Sequence, residues 1–227
     1  MGKLGAFVRL DFVTIKPYFT AKNMLIYVAL AVYMAIFSKS ITSSIGIGLM
    51  LATMNIGYPF ALGEKCNIDA LYATLGADRK TVVKGRYLFS LLLNVCAIVF
   101  VTAFSLIVLA ATSSFGGFEG LLAESLGASL ALSTLFIFVQ SIQIPIFFKF
   151  GYAKAKILSI LPYFLLSAFV AFFALNVQGS GMPRLHVFVQ SFLSNGHVVV
   201  AAIVALLVAA VFVSYRLSLA FYSKREL

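Results

Sequence analysis

The side chains of this chain that could carry chemistry are seven acids, two histidines, two cysteines and a few amides. The acids are Asp11, Glu64, Asp69, Asp78, Glu119, Glu124 and Glu226, and every one falls between or beside long apolar runs rather than inside them. An ion-coupled carrier needs a carboxylate or a Lys/His pair near the membrane midplane. A phosphatidyl transferase needs aspartates clustered on one helix face, and neither pattern occurs. His186 and His197 stand too far apart for a metal pair on one helix turn, which takes a spacing of about three or four. No glycine-rich loop of the G-x-x-x-x-G-K-[ST] type is present to cradle phosphates. Cys66 lies in a charged stretch and Cys96 in an apolar run, so both read as unpaired thiols, with neither a disulfide nor a metal site. What remains is a set of uncharged polar residues inside apolar runs: Asn55, Asn94, Gln140 and Gln143. Gln140 and Gln143 are neighbours on one helix face. Two uses are open to all four, interhelical hydrogen bonding or the lining of a transport pathway. The expectation is a protein that is no enzyme, with no catalytic residue, no metal and no cofactor of its own.

The elements that must hold these residues follow from composition. Of 227 residues, 62% are hydrophobic and only 11% charged, with a mean hydropathy of +1.06; soluble domains carry about 25% charge. A soluble enzyme, a nucleic-acid-binding domain and a disordered tail are thereby excluded as descriptions of the whole chain. Windows free of charge, tested against the roughly 20 residues a spanning helix requires, predict six transmembrane helices: 22–39, 42–62, 86–112, 124–147, 157–177 and 197–219. The predicted fold is all-α and polytopic. Placing the N-terminus inside puts every Lys and Arg except Lys39 and Arg184 on the cytoplasmic side, as the distribution of basic residues in membrane proteins demands. Both termini are therefore assigned to the cytoplasm. The net charge of +10 reads as topology, not as a nucleic-acid surface. The first 22 residues lack the pattern of a cleaved signal, so the first span is expected to stay as an uncleaved anchor.

Three cytoplasmic stretches carry more pattern than turns need. Residues 1–21 gather Leu4, Phe7, Val8, Phe12 and Ile15 on one side of a helical wheel, with Arg9 and Lys16 opposite. That makes an amphipathic helix lying in the interface. Asp11 falls in the middle of its apolar face, so it is expected to pair with a basic residue of this chain or another. The connection 63–85 repeats Ile68, Leu71, Tyr72 and Leu75 at helical spacing. Asn67 is suited to cap that short helix and Gly76 to stop it, and Asp78 to start a second helix running into the third span. The turn 148–156 holds Lys149, Gly151, Lys154 and Lys156. Within the second span, Ser44 and Gly48 form a small-xxx-small pair that allows close helix approach.

The run Gly57-Tyr58-Pro59-Phe60, with Glu64, Lys65, Asp69, Leu71, Tyr72, Leu75, Arg79 and Gly85-Arg86-Tyr87, resembles the small ABC-2 type permeases, as does Ile144-Pro145-Ile146-Phe147-Phe148-Lys149-Phe150-Gly151. These are six-helix subunits of ATP-binding-cassette exporters, of the phenol-soluble-modulin and lantibiotic exporter kind. Gly76 stands where that family has proline and keeps a helix stop. The resemblance implies a bacterial plasma-membrane exporter in which a separate cytoplasmic ATPase binds ATP and Mg. This chain would pair with a second copy or a sister permease, in contact with membrane lipid, to move an amphipathic peptide or lipophilic cargo. It further implies that Glu64, Ile68, Asp69, Leu71, Tyr72, Leu75 and Arg79 form the coupling element that meets the ATPase, with Lys149 and Gly151 as a second contact. The competing readings are the substrate-binding subunit of an energy-coupling-factor importer, a membrane assembly factor, or an embedded enzyme.

Overall fold

Long runs of Leu, Val, Ile, Phe and Ala without water to satisfy their backbone have one regular solution per segment, the α-helix. The computed structural model of the chain describes residues 3–16, 20–38, 40–66, 68, 72, 78–111, 118–168 and 196–224. Among them there is no strand. The helices are α1 (Lys3–Ile15), α2 (Ala21–Ser38), α3 (Ile41–Met54), α4 (Tyr58–Lys65), α5 (Arg79–Ala111), α6 (Phe118–Leu158) and α7 (Gly196–Ser223). Residues 161–168 are also helical, as are Ile68 and Tyr72.

Four stretches among the described residues are long and apolar enough to cross a membrane: Ile41–Lys65, Arg79–Val108, Leu122–Leu158 and Val200–Ser223. They fall on the second, third, fourth and sixth predicted spans. At the first, α2 has 18 residues, about 27 Å of rise, around the apolar stretch Leu25–Met34. Of the predicted fifth span, 157–168 is described, and 169–195 lies outside the described residues.

The connections differ from simple turns. α3 and α4 are joined by a single 3-10 turn, Asn55–Gly57. Pro59, in the first turn of α4, has no N–H to give the Asn55 carbonyl four residues back. The chain tightens, and the Tyr58 N–H bonds that carbonyl instead. The region 63–85 is already helical from Arg79, where the Asp78 carbonyl accepts from the N–H groups of Thr81 and Val82. The stretch 148–156 is helix on both sides of one break, at Gly151, with φ 72° and ψ 172°, a backbone region open essentially to glycine alone.

Two cores hold the bundle. One, towards the ends of the helices near α1, gathers Ile15, Ile56, Tyr72, Val83, Phe89, Phe148 and Tyr222. The other packs Ile41, Ile45 and Leu49 of α3 against Phe136 of α6, with Val101 of α5 alongside. α3 reaches α5 through its small residues. The Ser44 hydroxyl lies 2.8 Å from that of Ser105 and also reaches the Ala31 carbonyl of α2 at 3.1 Å. One turn on, a Cβ added at Gly48 would stand 2.5 Å from a Val101 methyl and 3.2 Å from its Cβ. Rotating the valine therefore does not clear the space.

Gly48→Leu is accordingly expected to lower the yield of monodisperse protein sharply, overpacking of this kind costing about 1–3 kcal/mol. Gly48→Ala should be milder and should be partly rescued by Val101→Ala, as read by size-exclusion chromatography and thermal unfolding in detergent. Equal tolerance of Leu and Ala at position 48 would contradict the close contact.

Candidate functional site

Arg86 is the hub of the end of the bundle that carries α1. Its side chain is buried, and Nη1 donates to Asp11 Oδ1 at 2.6 Å while Nη2 donates to the Pro59 carbonyl at 3.2 Å. The guanidinium also lies over the Phe60 ring, 4.9 Å from its centroid. Asp11, the acid on the apolar face of α1, thus finds its base in the same chain. It is 3% exposed. Burial pushes its carboxyl above the ordinary carboxylate range, against the pull of the neighbouring Arg86 charge and hydrogen bond. Sequence reasoning met Arg86 only in the family-like run Gly85-Arg86-Tyr87 and gave it no partner; the signal was there in Asp11, an acid on an oily face that had to be answered by a base.

Each described residue of the expected coupling element is engaged within this chain. Glu64, on the exposed end of α4, accepts at Oε2 from the backbone N–H groups of Tyr152 (2.7 Å) and Ala153 (3.0 Å). These are the first free donors after the break at Gly151, so the carboxylate caps the restarted helix. That side chain joins the end of α4 to the stretch 148–156, beside the edge-on contact of Phe60 with Phe148. Tyr72 is 4% exposed and packs edge-on against Phe7 of α1 at 4.8 Å between centroids, with Ile68 on the same core. These two side chains lie in the core that α1 and α5 share. Arg79 donates to the terminal carbonyls of α7, Tyr222 at 3.2 Å and Ser223, where a cation also meets the negative end of the helix dipole. Lys149 is exposed and lies over the rings of Phe150 and Phe221 at 5.0 and 5.2 Å. Asp69, Leu71 and Leu75 lie outside the described residues.

The buried amides are spent on helix–helix contacts. Asn94 of α5 and Gln140 of α6 exchange two hydrogen bonds, 2.7 and 2.8 Å. Gln143 donates to the Ser159 carbonyl at 2.7 Å. Asn55 donates to the Leu51 carbonyl at 2.9 Å and accepts from the Tyr27 hydroxyl at 3.3 Å. A further link was not foreseen. Pro145 cannot donate to the Ser141 carbonyl one turn back, and the Ser214 hydroxyl of α7 donates to it at 2.5 Å. The Tyr87 hydroxyl sits against Ser214 and, at 2.9 Å, Ser218. The sign was two serines four apart in an otherwise oily α7.

Apolar helices of spanning length, tied together at one end by short helices and a buried ion pair, define a multi-pass membrane protein. Residues 7–223 match the sequence model of the ABC-2 family transporter proteins. The chain belongs to that family and is a membrane permease of an ABC transporter, a class that works with an ATP-binding subunit. No curated protein and no solved structure matches it.

Removing one member of the buried pair leaves the other charge stranded, which costs about 3–5 kcal/mol. Asp11→Ala and Arg86→Met should each destabilise strongly in thermal unfolding, while Asp11→Leu with Arg86→Met should recover much of the loss. A double variant no better than either single would refute the pairing. Because Asp11 holds its proton more tightly folded than unfolded, its share of stability is full below the ordinary value of 3.8 and is lost as pH rises through the raised value. The stability of Asp11→Asn should therefore fall less than that of the wild type across that acidic window.

At the joint, Gly151→Ala is expected to strain the break by about 1–3 kcal/mol. Glu64→Ala should loosen the same joint while leaving the spans inserted. Limited proteolysis near Tyr152 reads both, and unchanged cleavage in Glu64→Ala would show that the carboxylate does not hold the restart.

Proposed function

We propose that this chain is the permease of an ATP-driven exporter, supplying half of a translocation pathway that a second copy or a sister permease completes. It would cross the plasma membrane six times with both termini cytoplasmic. A cytoplasmic ATPase, holding ATP and Mg, would dock on the α1, α4 and 148–156 side, and an amphipathic peptide or lipophilic molecule would be the cargo.

The observation that carries this reading is the linkage of that side into one unit. Arg86 ties α1, α4 and α5; Glu64 ties α4 to the helix restarting at Tyr152; Arg79 ties α5 to the end of α7; Tyr72 ties the short helix to α1. A push on any one of these elements is delivered to several spans at once, which suits rigid-body coupling. With Ile68 and Tyr72 packed into the chain, the ATPase would meet the exposed Lys65, Lys80, Lys84 and Lys154.

Co-expression with a candidate ATPase, followed by purification and reconstitution, tests the proposal. ATP turnover should rise when the permease is present. In inverted vesicles, ATP should drive uptake of a fluorescent amphipathic peptide. Tyr72→Ala should lower ATPase stimulation at least severalfold while spans insert at the normal level. Full stimulation in Tyr72→Ala would detach the short helix from coupling, and a chain that never co-purifies with an ATPase would overturn the permease assignment to an ATP-driven exporter.

A further inference from the structure

Between α1, α2, α3 and α5 runs a groove of about 650 Å³, within the roughly 300–1,000 Å³ of sites that take small molecules. Its wall is apolar over most of its length, with Phe12 from α1, Val28 from α2, Ala52 from α3, and Leu93 and Phe104 from α5. The polar atoms of Tyr27 and Asn55 that reach it are occupied by each other and by the Leu51 carbonyl. Among the described residues two cations line it, Arg9 on α1 and Lys16 one residue past its end, both exposed. They stand two helical turns apart, about 10 Å, on the same face. Among the described residues no acid lines the groove, and Asp11, the acid of the same helix, is turned away into its ion pair with Arg86.

The dimensions select the ligand. From Leu93 to Phe104, α5 rises about 16 Å, close to half of the roughly 30 Å hydrocarbon core, the depth that the chains of one leaflet fill. A tail-length oily trough with two bases at the interfacial helix is complementary to an anionic head on an acyl chain. A neutral oily molecule would leave both cations without use, and a soluble anion would leave the trough empty.

We propose that this groove binds an anionic phospholipid of the cytoplasmic leaflet, its phosphate between Arg9 and Lys16 and one acyl chain laid along α5. The choice of leaflet rests on the orientation proposed above; the preference for negative charge does not. The lipid would fill the space between α1 and the second and third predicted spans, and so hold the interfacial helix against the bundle.

The test is native mass spectrometry of the full chain in detergent, titrated with phosphatidylglycerol or phosphatidylcholine of equal chain length. Two bases near a lipid head each favour anionic lipid, so phosphatidylglycerol should be retained on the order of tenfold or more tightly. Arg9→Gln with Lys16→Gln, which changes exposed side chains only, should abolish the preference. Ala97→Trp, which fills the trough midway, should release both lipids. Equal retention of the two lipids by the wild type, a preference that survives the double substitution, or a groove that takes up neither lipid because a second copy covers it would each overturn the proposal. A charge preference found in a chain that fails to co-purify with an ATPase in the co-expression experiment above would leave the lipid site standing and sink the exporter reading instead.

Discussion

The Asp11–Arg86 pair sets the terms for the rest of this end of the molecule. Two charges taken out of water at such short range are tolerated only when every remaining hydrogen-bonding position is answered. Here the second arm of the guanidinium finds the Pro59 carbonyl and its face finds Phe60. Asp11 stands on α1, Pro59 and Phe60 on α4 and Arg86 itself on α5, so satisfying one arginine obliges α1, α4 and α5 to meet at a point. The amphipathic helix is therefore not merely afloat in the interface. It is bolted to the start of a span, and Phe7 and Phe12 pack beside the bolt against Tyr72 and Phe89.

The same logic recurs wherever the backbone is interrupted. Pro59 tightens α3 into a 3-10 turn and presents its carbonyl to Arg86. Pro145 frees the Ser141 carbonyl, and Ser214 reaches across from α7 to take it. Gly151 frees the N–H groups of Tyr152 and Ala153, and Glu64 takes those. In a low-dielectric surrounding an orphaned backbone group is expensive, and each break in one helix becomes the attachment point of another. The interruptions, rather than the long apolar stretches, decide which helices are neighbours. An ABC permease that must transmit motion from one side gains from this, since its short elements move with the spans they are tied to.

The polar residues inside the spans fit this picture of glue. Asn94 and Gln140 exchange two hydrogen bonds across α5 and α6. Lipid tails are as apolar as the helices, so helix association in a membrane leans on such bonds and on small-residue contacts, here Ser44 and Gly48 against Ser105 and Val101.

What the sequence alone determined was the solvent and the helical secondary structure. Composition and charge-free windows decide these locally, because a helix in lipid satisfies its own backbone whatever surrounds it. The family was legible too, since the Gly57–Tyr87 and Ile144–Gly151 stretches carry its pattern. Even Asp11 announced, from its place on an oily face, that a base had to exist. Which base it was, that Glu64 caps a helix 88 positions away, and that Tyr72 packs against Phe7 of α1 were decided only in three dimensions. Ion pairs, caps and aromatic contacts join residues distant in the chain, and no period or window in a sequence encodes which two helix faces will meet.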